Sequence, residues 1–156
     1  MKGNGKVIAV LIEALKSEIL AINQYFVHSE MCENWGLTKL HKASKGHSID
    51  EMKHAEKLIE RILFLEGIPM MESLSPVSIG STVSEQFKKD LALEQAAVKS
   101  YNAAIKVCAE AGDNGSRDLF LSLLKDEESH VDFLETQIEL IERISLEHYL
   151  ATQVEG

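Results

Sequence analysis

Shifted against itself by 76 residues, the chain repeats: Glu18 falls on Glu94, Glu51 on Glu127 and His54 on His130. The same shift carries Leu15 onto Leu91, Ala21 onto Ala97, Tyr25 onto Tyr101, Cys32 onto Cys108 and Gly36 onto Gly112. It also carries Asp50 onto Asp126, Leu58 onto Leu134 and Ile62 onto Ile138. Such self-similarity marks one supersecondary unit used twice. The fold must therefore accommodate two like halves about an approximate two-fold axis.

Each half reads as two helices. Apolar residues recur at alternating steps of three and four, the pattern of a helix buried along one stripe. The first segment, about 6–34, carries Leu11, Leu15, Ile22 and Tyr25; the second, about 38–65, carries Leu40, Leu58, Ile62 and Leu65. The third, about 82–111, carries Phe87, Leu91, Val98, Tyr101, Ile105 and Cys108. The fourth, about 116–143, carries Phe120, Leu123, Leu134, Ile138 and Ile141. Gly36 breaks the first pair and the run Gly112 to Gly115 breaks the second, so each pair folds back as an antiparallel hairpin. Residues 66–81, with two prolines and two glycines, are long enough to cross the length of a bundle. Thr82 and Glu85 are spaced as a capping box at the start of the third helix, and Ser145 is placed to cap a short fifth helix over 146–153. The expectation is an all-α four-helix bundle: two antiparallel helical hairpins joined by a long crossover, plus a short C-terminal fifth helix. The length fits a single domain, 1–156, with one sizeable core.

Polar residues on the apolar stripes carry the functional signal. Glu18 lies three residues after Leu15 and four before Ile22, and Glu94 lies likewise between Leu91 and Val98. Glu51 and His54 share a helix face one turn before Leu58, as do Glu127 and His130 before Leu134. Four carboxylates and two imidazoles thus point into one layer of the core. Two Glu-x-x-His pairs alone carry little weight in a chain with 25 acidic residues and 6 histidines. Their registration with Glu18 and Glu94 on inward stripes is what singles them out. Four uncompensated buried anions would have to protonate, whereas two divalent cations would balance them. Carboxylate and imidazole donors suit iron or manganese, and the absence of thiolates argues against a structural zinc site. Tyr25 and Tyr101, seven residues after Glu18 and Glu94, stay on the same stripes. Each could hydrogen-bond a ligand, act as a redox neighbour or simply pack.

Bulk properties narrow the partners. A formal net charge of −9 disfavours nucleic acid, which needs clustered Lys and Arg, and instead concentrates small cations. The longest apolar run near the start is too short for a signal peptide or a bilayer span, so a cytoplasmic, membrane-free protein is expected. Cys32 and Cys108 make neither a disulfide framework nor a four-thiolate site.

Several segments together resemble the bacterioferritin family: the opening MKG, AINQY over 21–25, SIDEMKHA over 48–55, RILFLEG over 61–67, DEESH over 126–130 and LETQ over 134–137. The similarity spans essentially the whole chain. It implies a ferritin-like subunit that oxidises Fe(II) with O2 or H2O2 at a di-iron centre and stores ferric mineral in a hollow shell. That shell would be a homo-oligomer of 24 subunits built from dimers. The family's di-iron ligands, Glu18, Glu51, His54, Glu94, Glu127 and His130, are all present, with Glu51 and Glu127 bridging. The resemblance also implies haem b shared between two subunits, with Met52 as axial ligand and Ile19, Ile22 and Phe26 lining its pocket. A bacterioferritin-associated ferredoxin would be the electron donor. Met52 lies about 100° around the helix from Glu51 and so points away from the metal layer.

Two positions depart from the family pattern. Lys45, one heptad before Met52, puts a charge where some relatives have a bulky aromatic. Some members use a histidine just upstream of Ser48 in an inner-surface iron site. Here position 46 is Gly46 and the histidine is His47, whose i−4 spacing from Glu51 leaves two directions open: toward the bundle, or toward an inner-surface iron site shared with Asp50. Two other classes share the ligand set. A rubrerythrin-like oxidase or peroxidase is disfavoured by the missing four-cysteine iron centre. A haem-binding or structural shell subunit is disfavoured by the complete set of ligands.

Overall fold

The computed structural model describes residues 1–155 as α1 (Gly5–Asn34), α2 (Thr38–Phe64), α3 (Val83–Glu110), α4 (Asn114–Ile144) and α5 (Leu146–Ala151), with no strand among the described residues. Asn4 starts α1 by accepting the free N–H groups of Lys6 and Val7 on its side chain. The two hairpin turns are built alike. Leu37 N–H donates to the Cys32 carbonyl and Asp113 N–H to the Cys108 carbonyl, both at 2.9 Å. These bonds require a left-handed residue at Gly36 (φ 77°) and Gly112 (φ 70°), where a side chain would be strained.

Cross-bundle hydrogen bonds give the helix directions. Tyr25 reaches Glu94 and Tyr101 reaches Glu18, so α1 and α3 are antiparallel. His54 reaches Asp126 and His130 reaches Asp50, so α2 and α4 are antiparallel too. With each hairpin itself antiparallel, the bundle runs up, down, down, up. That order requires the crossover of residues 65–82 to return the whole length. Its far end is pinned inside: Gly80 N–H donates to His28 Nε2, and Gln86 donates back to the Gly80 carbonyl. His28 in turn pairs with buried Asp90, which also accepts from Gln24. Helix α5 folds against α4, and the buried Tyr149 donates to Gln137 at 2.6 Å.

The apolar core has two parts. One gathers Leu11, Leu15, Leu58, Ile62, Tyr101, Phe120 and Leu123; the other gathers Cys32, Leu37, Leu40, Phe87, Leu134 and Tyr149. The polar layer of Glu18, Glu51, His54, Glu94, Glu127 and His130 lies between them.

Four local expectations need correction. On α3 the expected Phe87, Tyr101 and Cys108 are buried, but Asp90, Ala97 and Ala104 are buried in place of Leu91, Val98 and Ile105, which lie half-buried on the flank. Small residues at the α1–α3 contact allow close helix approach, and the partnered Asp90 takes a core place. On α1 buried Ala21 likewise displaces Ile22 to the flank, and on α4 Ile138 and Ile141 are half-buried. Helix α4 starts at Asn114 and not beyond Gly115, because Asp113 caps it by accepting from the Ser116 N–H. The capping box is displaced as well: Thr82 accepts from the Glu85 N–H, but Glu85 accepts from Ser81. Helix α5 stops at Ala151 and not at 153.

Candidate metal centre

One helix supplies each part of the layer. Helix α1 supplies Glu18 and α3 supplies Glu94; α2 supplies Glu51 with His54, and α4 supplies Glu127 with His130. All six side chains are buried. The two imidazoles are oriented in the same way. His54 Nε2 lies 2.9 Å from Asp126 Oδ2 and His130 Nε2 lies 3.2 Å from Asp50 Oδ2. An aspartate outside each ring takes the Nε2–H and leaves the Nδ1 lone pair facing inward.

Inward, each Nδ1 meets carboxylates. His54 Nδ1 lies 3.3 Å from Glu51 Oε1, 3.3 Å from Glu127 Oε1 and 3.5 Å from Glu18 Oε2. His130 Nδ1 lies 3.5 Å from Glu51 Oε1, 3.5 Å from Glu94 Oε1 and 3.6 Å from Glu127 Oε1. Glu51 and Glu127 therefore belong to both sets, Glu18 only to the His54 set and Glu94 only to the His130 set. One ligand atom from each member of a set lies within 4.8 Å of the others.

Apart from Glu94 Oε1, none of these inward atoms has a hydrogen-bond partner. Glu18 Oε2, both oxygens of Glu51, Glu94 Oε2, both oxygens of Glu127 and the two Nδ1 atoms are all buried and unsatisfied. Buried polar atoms left this way cost about 1–3 kcal/mol each, more for charged groups. Lone pairs facing lone pairs require protons or cations between them.

The titration of the metal-free layer reflects the same pressure. Burial pushes Glu51 up to about 8 and Glu127 up to about 12, with neighbouring carboxylates adding to the rise. Burial also opposes the charge of Glu94, but His130 and Glu127 beside it outweigh that and hold Glu94 below the usual carboxylate value. Burial pulls His54 down, yet the carboxylates of Glu127, Glu18 and Glu51 lift it well above the usual imidazole range. His130 rises to about 9 in the same way, chiefly through Glu94 against the pull of burial. In the absence of metal the layer holds protons, and cations would displace them.

Two tyrosines complete it. Tyr25 Oη donates to Glu94 Oε1 at 2.8 Å, and Tyr101 Oη donates to Glu18 Oε1. Burial and the carboxylates raise both phenols well above their ordinary value, so each remains a donor. Of the roles open to them, hydrogen bonding to a carboxylate of the layer is the one observed.

A cleft reaches the layer at His130. It has a volume of about 330 Å³ and is lined by His47, Asp50, Asp126, Ser129, His130 and Phe133. His47 turns inward, its ring centroid 5.1 Å from Tyr25 and 4.5 Å from His130. Burial, with His130 nearby, pulls His47 down to about 4, so its ring is neutral at neutral pH. The roles of Asp50 and Asp126 were missed in the sequence, although the repeat aligned them next to Glu51 and Glu127. Phe133 carried no signal, because its repeat counterpart is Lys57.

Met52 lies elsewhere. It is 46% exposed on the outer side of α2, one turn after exposed Ile49. A thioether on an apolar surface strip is chemically suited to a soft axial ligand.

A ferritin-like domain model matches residues 8–144. The chain is 53% identical to a bacterioferritin of Rhodobacter capsulatus over 92% of its own length and 89% of the relative. The chain belongs to the bacterioferritin family. It is also 46% identical to a bacterioferritin of Brucella melitensis, over 96% of this chain and 92% of that one. Against bacterioferritin BfrA of Mycobacterium tuberculosis the identity is 43%, over 97% and 95%. The fold is ferritin-like, and no helix of the described residues is long and apolar enough to cross a membrane.

Proposed function

We propose that this chain is an iron-storage ferroxidase subunit that oxidises Fe(II) at the buried layer. Iron storage is the function of its family, and the layer supplies an oxidation site. The observation that carries the reading is the cluster of eight buried, partnerless ligand atoms converging from four helices. In this reading one Fe(II) is held by Glu18, His54 and the shared carboxylates, and the other by Glu94, His130 and the same carboxylates. Glu51 and Glu127, common to both sets, would serve both ions. Two substrate ions side by side give up one electron each, which together reduce O2 to H2O2 or H2O2 to two waters. Two protons are needed in either case. The layer's own proton-holding groups would yield theirs as the metal binds.

The tyrosines and outer aspartates act as orienting groups. Tyr25 and Tyr101 hold the terminal carboxylates, and Asp50 and Asp126 hold the imidazoles by the bonds already described. Ferric product would pass to mineral inside a cytoplasmic shell of 24 subunits, each chain acting as a single domain. Met52 would hold haem b with the same residue of a second subunit, beside Phe26, Ile19 and Ile22. When bound, that haem supplies electron transfer for iron release, with a small ferredoxin as donor.

Anaerobic Fe(II) titration followed by rapid mixing with O2 or H2O2 tests this reading. Two ions per subunit should oxidise in a fast phase that Glu127→Ala slows by at least about 100-fold, equivalent to ~3 kcal/mol. Native-rate oxidation by a variant lacking both Glu51 and Glu127 carboxylates overturns it.

A further inference from the structure

His47 touches His130 and the tyrosine that holds Glu94; His130 and Glu94 are the two ligands that belong to one metal position alone. Its ring lies 4.5 Å from that of His130 and 5.1 Å from that of Tyr25, the donor to Glu94. Phe133 backs it edge-on at 4.9 Å. His130 depends on such a wall. Its outer hydrogen bond, to Asp50, is 3.2 Å long against 2.9 Å for His54 to Asp126, and Asp50 is itself about half exposed. The ring also borders the cleft, so space is available for it to turn outward.

The repeat sharpens the contrast. The counterpart of His47 is Leu123, fully buried in the apolar core behind the other half. There, among the described residues, the ring contact joins Tyr101 to Phe120 and leaves His54 to the shorter aspartate bond and the surrounding core. We propose that His47 is a positioning residue, whose ring holds the His130 imidazole and the Tyr25 phenol so that the Glu94–His130 metal position keeps its shape. A flat ring with a polar edge suits the place: it meets Tyr25 edge-on and His130 at a tilt while also bordering the cleft. A leucine there would pack poorly against either ring, and an alanine would open the cleft onto His130.

The inference rests on the two-metal reading and is tested with Co(II), which reports its ligands spectroscopically without being oxidised. Full-length wild-type protein should take up two Co(II) per subunit and show two sets of shifted imidazole proton resonances. Failure at that step counts against the two-metal reading itself. Given two sites, His47→Ala should weaken one Co(II) by at least about tenfold and erase one imidazole set, leaving the other within about twofold. His47→Phe, which keeps the ring but no nitrogen, should restore both. Unchanged binding in His47→Ala overturns the proposal, as does equal weakening of both sites. Failure of His47→Phe to restore binding overturns it as well, since the nitrogen and not the wall would then matter.

Discussion

The two halves of the bundle carry the same ligands but enclose them differently. On the Glu18–His54 side the layer is backed by Tyr101, Phe120 and Leu123, all fully buried. On the Glu94–His130 side the positions equivalent to Phe120 and Leu123 are Ser44 and His47, and the wall is a cleft open to the surface. The repeat has thus kept what two metal ions require, while the surroundings have diverged into a dry wall and a wet one. A dry wall strengthens every charge interaction within it, and a wet wall allows ions and water to exchange. The Glu94–His130 position is therefore expected to be the exchanging one.

The most severe way to break this comparison is to remove one terminal carboxylate at a time. Glu18→Ala and Glu94→Ala should each cost one of two Co(II) ions, by at least about 100-fold in affinity, or ~3 kcal/mol. They should differ in folding. Glu18→Ala leaves the Tyr101 hydroxyl without its acceptor behind a dry wall, at a cost of about 1–3 kcal/mol. In Glu94→Ala, water from the cleft can reach Tyr25. Equal melting temperatures for the two metal-free variants would erase the distinction between the walls.

A milder cut is made at the outer aspartates. Asp126→Ala should weaken the His54 position by about 10–100-fold, as loss of a group orienting a metal-bound imidazole does. Asp50→Ala should weaken the His130 position less, because its bond is longer and His47 still braces the ring. Competitive Co(II) titration orders the two; the reverse order contradicts the bracing.

The most gradual effect is on stability against pH. Glu51, raised to about 8, and His130, raised to about 9, both bind protons more tightly folded than unfolded. Their stabilisation is complete below their unfolded values and is lost as pH rises through the folded ones. The raised Glu127 and His54 act in the same sense, while the depressed Glu94 and His47 act in the opposite sense, but only at acid pH, below this window. Metal-free protein should therefore lose stability between about pH 6 and pH 9, by about 1 kcal/mol per pH unit for each proton involved. Denaturation at a series of pH values measures the slope, and Co(II) loading should flatten it, since cations then replace the protons. A flat metal-free profile would count against the proton-loaded layer.

Much of this was determined by the sequence alone. Helix number, hairpin pairing and the six converging side chains follow from a 3.6-residue period, two left-handed glycines and one repeat shift, all local or self-referential properties. The spacing of His47 to Glu51 leaves its direction open, and the ring contacts with Tyr25 and His130 turn it inward. What only the tertiary structure decided depends on neighbours brought from far along the chain. Asp126 braces His54 and Asp50 braces His130 because α2 and α4 run antiparallel at matched height, which no local pattern encodes. Asp90 replaces Leu91 in the core because His28, Gln24 and the end of the crossover meet there, and a buried charge is tolerated only where its partners are assembled. The dry and wet walls have the same origin: Phe120 faces Tyr101 and His47 faces Tyr25 only once the two hairpins are packed together.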